Sequence, residues 1–328
     1  MPASRQVAEA GADKLLVAAR SGDERAFVEL TSLYRPALHA HCYRLLGSVH
    51  DADDAIQETM LRAWKGIARY EPRAPISAWL YRIATNVCLR MLERRGGGGA
   101  PDRHLEPYPE LLVDAIAGPD SLAETRETIG LAFIAAMQLL PPKQRAVLVL
   151  RDVLEWSARE VADFLGDSVA AVNSALQRAR DRLAREREAG TLVRMHVQVD
   201  RAAERDLMRR FQDAWDSVDI EGLVNLLADD ALMTMPPESM RVAGGGQIAR
   251  FFATVPLDGR LDRMRLVHTR ANGQPAFAAY SRDDESGTHS AYGLMVFALQ
   301  GDRVAGITGF PFRAELFARL ELPFVIPG

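Results

Sequence analysis

The sequence predicts a multidomain chain: two all-α units followed by an α+β unit. Three observations predict it. Apolar residues recur at spacings of three and four from about Asp13 to Arg95 and again from about Ser121 to Glu188. A stretch rich in Gly and Pro, with Gly96 to Gly99 and then Pro101, Pro107, Pro109 and Pro119, separates the two. After about Asp200 the pattern changes to two helical stretches and then strand-like segments. The expected boundaries are residues 1–95, a flexible linker over 96–120, a second helical unit over 121–190, and a third unit over 200–328.

In the first unit, charge is strongly sorted. Asp51, Asp53, Asp54 and Glu58 stand together with no base between Asp51 and Leu61. From Arg62 to Arg95 the bases are Arg62, Lys65, Arg69, Arg73, Arg82, Arg90, Arg94 and Arg95, against the acids Glu71 and Glu93. An acidic helix beside a basic one suggests two different partners; two solvated helix faces are the plainer meaning. The helix from Ser77 to about Arg94 buries Leu80, Ala84, Val87 and Met91 and lines an adjacent face with Trp79, Arg82, Asn86 and Arg90. An aromatic, an amide and arginines on one stripe suit unpaired DNA, through stacking and phosphate contacts. Trp79 is more often a core residue than a stacking platform. His39, His41 and Cys42 are close in sequence, but the two histidines fall on different faces of a helix, so no metal site is expected. Cys88 is expected to serve helix packing, with no second thiol near it.

In the second unit, Ser157 and Glu160 have the spacing of a capping box, so a helix should start there. Gly166 can adopt the backbone of a tight turn, and Ser168 can cap the next helix. Val169, Val172, Leu176, Ala179 and Leu183 then form one buried stripe. Asn173, Ser174, Gln177, Arg178 and Arg180 lie on the other face. That is a helix-turn-helix whose second helix can reach base edges and phosphates in the major groove.

In the third unit, helices around Phe211 and Leu223 precede strands at Ala231–Met235, Met264–Thr269, Ala276–Arg282, Ala291–Gln300 and Arg303–Gly309. Gln300-Gly301-Asp302 marks a hairpin. Alternation on Met264–Thr269 puts His268 on the same face as Met264 and Leu266. Trp215, His268 and Tyr280 are the candidate lining of a ligand pocket, with Asp262 and His289 as further acid–base candidates.

Composition limits the function classes. A net charge of −4 over 328 residues excludes a generic polycation, so any nucleic-acid affinity must come from local patches. Two cysteines far apart in sequence do not make a disulfide scaffold and suit a reduced, cytoplasmic setting. No apolar run is long enough to span a bilayer, and no signal peptide or membrane partner is expected. No cofactor is implied.

The residues resemble a known family. Asp51-Ala-Asp-Asp-Ala-Ile-Gln-Glu-Thr59 through Arg62-Ala-Trp64, with Trp79-Leu80-Tyr-Arg-Ile-Ala-Thr-Asn86, resembles region 2 of extracytoplasmic-function (ECF) sigma factors of the σ70 class. Leu140-Pro-Pro-Lys-Gln-Arg-Ala-Val147 through Leu150-Arg-Asp152, with the helix-turn-helix after it, resembles their region 4. The third unit resembles the cone-shaped SnoaL branch of the NTF2-like fold that sigma factors of the SigG type carry, with Ala271-Asn-Gly-Gln-Pro-Ala276 in place. Its Pro236-Pro237 pair is followed by Glu238 to Gly246 instead of the aromatics such relatives often carry.

The resemblance implies a dissociable specificity subunit of RNA polymerase. Asp51, Asp54, Gln57, Glu58, Arg62 and Trp64 would dock on the β and β′ subunits of the core enzyme. Arg69, Tyr70, Arg73, Trp79, Arg82, Asn86 and Arg90 would capture and hold the opened −10 element, with a flipped base in the loop from Tyr70 to Ile76. Ser168, Asn173, Ser174, Gln177, Arg178 and Arg180 would read the −35 element. The third unit would modulate this activity in cis, through a small ligand or beside a separate anti-sigma protein. Two other readings stay open: a helix-turn-helix regulator that never touches polymerase, and a bifunctional protein with an isomerase- or cyclase-like third unit.

Overall fold

The computed structural model describes residues 13–72, 74–95, 105–116, 122–190, 192–193, 196–197 and 200–328. Arg73 and most of the Gly/Pro stretch therefore lie outside the described residues. The chain forms two units. One takes residues of 1–97 and 141–177; the other takes 98–140 and 178–328.

The first unit is helical. After a helix over 13–20 come Glu24–Ser32, Arg35–Leu46, Val49–Gly66 and Ile76–Arg94. Asp23 caps the second of these through Ala26 N, and Ser48 caps Val49–Gly66 through Asp51 N. Gly47 ends Arg35–Leu46 at φ 75°, a left-handed position that suits Gly. Arg35–Leu46 is the central helix, buried from Leu38 to Leu46. It carries Cys42, His41 and the polar side chains that need internal partners. His41 Nε2 pairs with Thr85 Oγ1 at 2.8 Å, and His39 Nε2 with Asp53 at 3.1 Å. Both histidines are thus engaged with other side chains; no cluster of metal-binding residues occurs among the described residues.

Cys88 does have a second thiol beside it, contrary to the expectation. Both cysteines are buried, and Cys42 hydrogen-bonds to Cys88. Burial, then that hydrogen bond, pushes the Cys88 thiol far above its ordinary range. It is a packing residue kept protonated. The sequence could not show the pairing, because it joins two helices.

Helices Pro142–Leu148, Ala158–Leu165 and the start of Val169–Glu188 complete this unit. Pro142–Leu148 runs into a wider π turn at Val149–Val153, where Leu154 N reaches back to Val149 O at 3.0 Å. Pro142–Leu148 packs on Arg35–Leu46 and Ile76–Arg94. Arg145 is buried there and donates from Nη1 to the carbonyl of Leu45. Desolvation lowers its pKa to about 10. Tyr81 meets Trp156 edge to face at 6.3 Å, and Trp156 meets Phe164 at 5.2 Å. The two helical modules are therefore closed on each other through a core of aromatic rings and one sequestered guanidinium.

The second unit contains the α+β domain. Its sheet runs β2-β1-β6-β5-β4-β3, with β1 Leu227–Thr234, β2 Arg241–Ala243, β3 Met264–Ala271, β4 Gln274–Arg282, β5 His289–Gln300 and β6 Arg303–Pro311. Short β7, Val325–Ile326, pairs with β5. β1 and β6 are parallel; the other neighbours are antiparallel. Helices Arg201–Asp216, Ile220–Leu226 and Gly245–Thr254 contribute to one core with the sheet, around Phe211, Trp215, Phe252, Phe277 and Phe297. The five expected strands form, with longer bounds. β2, β7 and Ala314–Arg319 are short elements not expected from the sequence, and neither was Gly245–Thr254, whose Ile248, Phe251 and Phe252 have helical spacing.

The expected linker is the main departure. Its helix Glu110–Ile116 belongs to the second unit, and Leu105, Tyr108 and Val113 are buried. Helices Leu122–Ile129 and Leu131–Gln138, expected to belong with the helix-turn-helix, lie in the second unit too. The reason is a set of polar clasps from the β3–β4 turn. Asn272, fully buried at φ 58°, donates from its backbone N to Tyr108 O, accepts from Tyr108 N at Oδ1 and donates from Nδ2 to Ile129 O, each at 2.8 Å. Gln274 accepts from Leu131 N at 2.7 Å and donates to Phe297 O at 2.9 Å. Glu110 accepts from Gly273 N at 3.0 Å and pairs with Arg126 and Arg270.

Candidate nucleic-acid interface

Val49–Gly66 presents the acidic face. Asp54 and Gln57 are exposed, and Glu58 is held by Arg62 at 2.6 Å one turn on. Asp51 is shielded, because Arg95 pairs with it. Trp64 is half-buried, its ring 5.1 Å from Phe27. The helix thus divides its six candidates. Asp54 and Gln57 are open to a partner, while Trp64 and the Asp51–Arg95 pair fasten the helix to its neighbours.

The loop between this helix and Ile76–Arg94 is organised by Tyr70. Its ring is buried and its hydroxyl donates to the carbonyl of Ala74, which closes the loop on itself. Tyr70 lies 5.2 Å from Trp79, ring to ring. On its other side Trp79 approaches Gly66 so closely that a Cβ there would sit 3.2 Å from Cζ2. Trp79 is half-buried between these two residues, which is the packing role read beside the stacking one. Arg69 is exposed at the loop entrance, and Arg73 lies outside the described residues. Along the helix Arg82 and Arg90 are exposed and Asn86 is half-buried. The Arg82 guanidinium lies 6.0 Å from the centre of the Phe164 ring. That contact was not legible, since Phe164 is remote in sequence.

The helix-turn-helix forms as its residues dictate. Glu160 N donates to Ser157 Oγ at 3.2 Å and Ser157 N to Glu160 Oε2 at 2.7 Å, a complete capping box. Gly166 ends Ala158–Leu165 at φ 70°, and Ala171 N donates to Ser168 Oγ at 3.1 Å to start the next helix. Lys143 bridges to Asp167 in the turn at 2.7 Å. On Val169–Glu188, Val172, Ala175, Leu176 and Ala179 are buried, whereas Val169 is exposed and Leu183 half-buried. The expected stripe keeps Val172, Leu176 and Ala179 and gains Ala175, while Val169, the first residue of the helix, is open to solvent. Asn173, Ser174, Gln177, Arg178 and Arg180 are all exposed on one side. A helix held by one apolar face with a row of amides, a hydroxyl and arginines on the other can place donors and acceptors against base edges.

The ligand-pocket candidates do not meet. Trp215 lines a cavity of about 420 Å³ bordered by helix and strand residues. His268 lines a different cavity of about 760 Å³, whose lining includes the charged residues Glu110, Glu204 and Arg270. Its ring is not inward but exposed, 4.4 Å from Phe277 across the β3–β4 pair. The alternation was read correctly. β3 is an edge strand, and its end is open where Met264 and Leu266 are covered. Partial desolvation lowers the His268 pKa. Tyr280 lines neither cavity; it donates to Pro323 O at 3.0 Å and packs on Phe317. Asp262 is exposed and paired with Arg260 at 3.0 Å. His289 pairs with Ile326 through the backbone register of β5 and β7.

Comparison with known proteins shows the family. Residues 30–97 match the Sigma-70 region 2 family and residues 130–183 the Sigma-70 region 4 family. The chain is 39% identical to the ECF RNA polymerase sigma factor SigG of Mycobacterium tuberculosis, covering 95% of this chain and 89% of that protein. It is 30% identical to SigW of Bacillus subtilis over 50% of this chain and 90% of that one. The crystal structure of the Mycobacterium tuberculosis ECF sigma factor SigJ superimposes with a TM-score of 0.62 at 24% identity, over 90% of this chain and 99% of that one, so the fold is shared. No helix among the described residues is long and apolar enough to cross a membrane. With both promoter-reading modules matched in order, and a relative of nearly the same span well above the identity that defines kinship, the chain belongs to the ECF RNA polymerase sigma factors.

Proposed function

We propose that the two helical modules divide the family's work between them as follows. Asp54 and Gln57, with Glu58 and Arg62 behind them, form the docking face for the β and β′ subunits of core polymerase. The Tyr70-centred loop takes a flipped base of the −10 element. Trp79 supports that loop from beneath, and Arg69, Arg82 and Arg90 hold the phosphates of the opened strand. Asn173, Ser174, Gln177, Arg178 and Arg180 read the −35 element, with Ser168 fixing the start of their helix. The observation that carries this reading is the exposed polar row on Val169–Glu188, opposite a buried apolar face. A protein working on core polymerase and promoter DNA acts in the cytoplasm.

Arg178 is the test. It is exposed, so Arg178→Ala should leave the fold intact. A good base contact is worth ~1–3 kcal/mol of discrimination, so run-off transcription from a cognate promoter should fall about tenfold or more. Retention of core polymerase in a pull-down should not change. Transcription equal to wild type would overturn the assignment.

The C-terminal domain acts as a regulatory module and not as a catalyst. The cavity lined by Trp215 has Glu238 and Tyr292 as its only ionisable lining residues, both toward the surface. A paired acid and base do not meet there. The clasps on Tyr108, Ile129 and Leu131 give the domain a hold on the chain before the second promoter-reading module and on that module's first residues. Deleting residues 200–328 should alter transcription; identical activity and promoter choice would remove the regulatory role.

A further inference from the structure

We infer that the cavity beside the outer edge of β3 binds a small carboxylate with an apolar body, and that the bound acid fastens the segment before the helix-turn-helix to the C-terminal domain. As an effector site it rests on the regulatory reading of that domain; as a binding site it does not. β3 ends the sheet, and the expected linker covers part of its outer edge: Pro109 bridges to Ala271, and Asn272 N donates to Tyr108 O at 2.8 Å. The pairing stops there, because Glu110–Ile116 is helical. The cavity of about 760 Å³ is lined by Pro109, Glu110 and Leu111, by residues 268–270 of β3, by the first half of Arg201–Asp216 and by residues 319–321. Its size suits a small molecule, and it shares no lining residue with the Trp215 cavity.

Charge on this lining is saturated unevenly. Glu204 pairs with Arg270, and Glu110 pairs with Arg270 and Arg126 and accepts from Gly273 N at 3.0 Å. Arg209 pairs with Asp206 and Asp213, and Arg319 is engaged as well. Arg201 and Arg205, one turn apart on their helix, have no ion pair or hydrogen bond among the described residues, and neither has Glu321. Two spare guanidinium groups against one spare carboxylate leave one positive charge, in a chain whose net charge is −4. A monoanion balances it, and a guanidinium fork takes a carboxylate through two parallel bonds. His268 adds a donor. Its ring rests on Phe277 at 4.4 Å, and neither ring nitrogen has a hydrogen-bond partner among the described residues. Partial burial lowers its pKa, so at neutral pH it is an uncharged imidazole with one N–H to give. The rest of the lining includes Leu111, Met208, Pro275 and Leu320. Leu111 is 61% exposed, an apolar side chain that the body of a guest covers.

The test uses the full chain and four probes: 4-phenylbutyrate, the matching alcohol and amine, and acetate. Calorimetry should show 4-phenylbutyrate binding one to one, about tenfold tighter than the alcohol or more, since a charge-assisted hydrogen bond is commonly worth that factor. The amine, with the wrong charge, and acetate, with no apolar body, should both bind more weakly than the acid. Arg201 and Arg205 are exposed, so Arg201→Gln and Arg205→Gln should keep the fold; each should weaken the acid and leave the alcohol unchanged. Arg210→Gln removes the same charge from the same helix outside the cavity and should change neither probe. Leu111→Glu should weaken the acid about tenfold or more. With the acid at about a hundred times its dissociation constant, Tyr108 amide exchange should slow roughly a hundredfold, because the opened segment no longer completes the site. No saturable binding, equal binding of acid and alcohol, an equal loss in Arg210→Gln, or unchanged Tyr108 exchange at saturation would each overturn the inference. Run-off transcription is read separately: activity unmoved by an acid that binds and slows Tyr108 exchange counts against the regulatory reading alone.

Discussion

Replacing Asn272 by Ala tests whether the segment before the helix-turn-helix is held by the C-terminal domain. The Asn272 side chain accepts from Tyr108 N and donates to Ile129 O, both at 2.8 Å, and the residue is fully buried. Truncation removes both side-chain bonds. Leaving a buried polar group without its partner costs ~1–3 kcal/mol each. Ala at φ 58° adds roughly 1 kcal/mol of backbone strain. The sum is about 3–5 kcal/mol when partial relaxation is allowed, or an increase in local opening of roughly 10²- to 10⁴-fold. Amide hydrogen exchange reads this at Tyr108, whose N–H is donated to Asn272 Oδ1. Its protection should fall by that factor, while amides in Val49–Gly66 keep theirs. Asn272→Gly separates the contributions: it loses the same side-chain bonds without the strain and should fall short of Ala by about fivefold. Tyr108 exchange within threefold of wild type in Asn272→Ala would refute the clasp.

Three further outcomes are expected. Asp54 has a side chain 55% exposed, so Asp54→Ala should leave the melting temperature unchanged and weaken core polymerase retention in a pull-down about tenfold; equal retention would sink its docking role. Ser157→Ala breaks the capping box and should cost ~1 kcal/mol in denaturant unfolding, with no loss contradicting the cap. His41 is buried on Thr85, and desolvation followed by the Arg44 charge lowers its pKa to about 3. The unfolded chain therefore binds a proton below pH ~6.5 that the folded chain refuses until pH about 3. His41 contributes stability that is fully present above pH ~6.5 and is lost as pH falls, at up to ~1.4 kcal/mol per pH unit. His41→Gln should flatten that slope in urea titrations from pH 7 to 5; an unchanged slope would contradict the linkage.

What could be read from residues alone divides along a physical line. Ser157, Glu160, Gly166 and Ser168 act on backbone groups within three or four residues, so the turn and both helix starts were legible. The strand hairpin at Gly301, with φ 60°, was legible for the same reason. Side chains whose partners lie far along the chain were not. Tyr108 looked like part of a solvated linker because Asn272 is more than a hundred residues away. Cys88 looked solitary because Cys42 is on another helix. His268 was placed on the right face, but periodicity does not say that β3 is an edge with an open end. Trp79 shows the middle case: two roles were read, and Gly66 with Tyr70 favours the supporting one.

The closure of the two helical modules through Arg145, Trp156 and Phe164 has a cost for promoter recognition. A compact body of roughly 130 residues has a radius of gyration of ~14 Å. Elements named −10 and −35 are separated by about 25 base pairs, or ~85 Å along B-DNA at ~3.4 Å per pair. One closed body cannot touch both, so the promoter-competent form is the opened one. The apparent dissociation constant for DNA is then the intrinsic one divided by the opened fraction. Each tenfold rarity of opening costs a tenfold loss of affinity for the free protein. A partner that held the modules apart would return that factor.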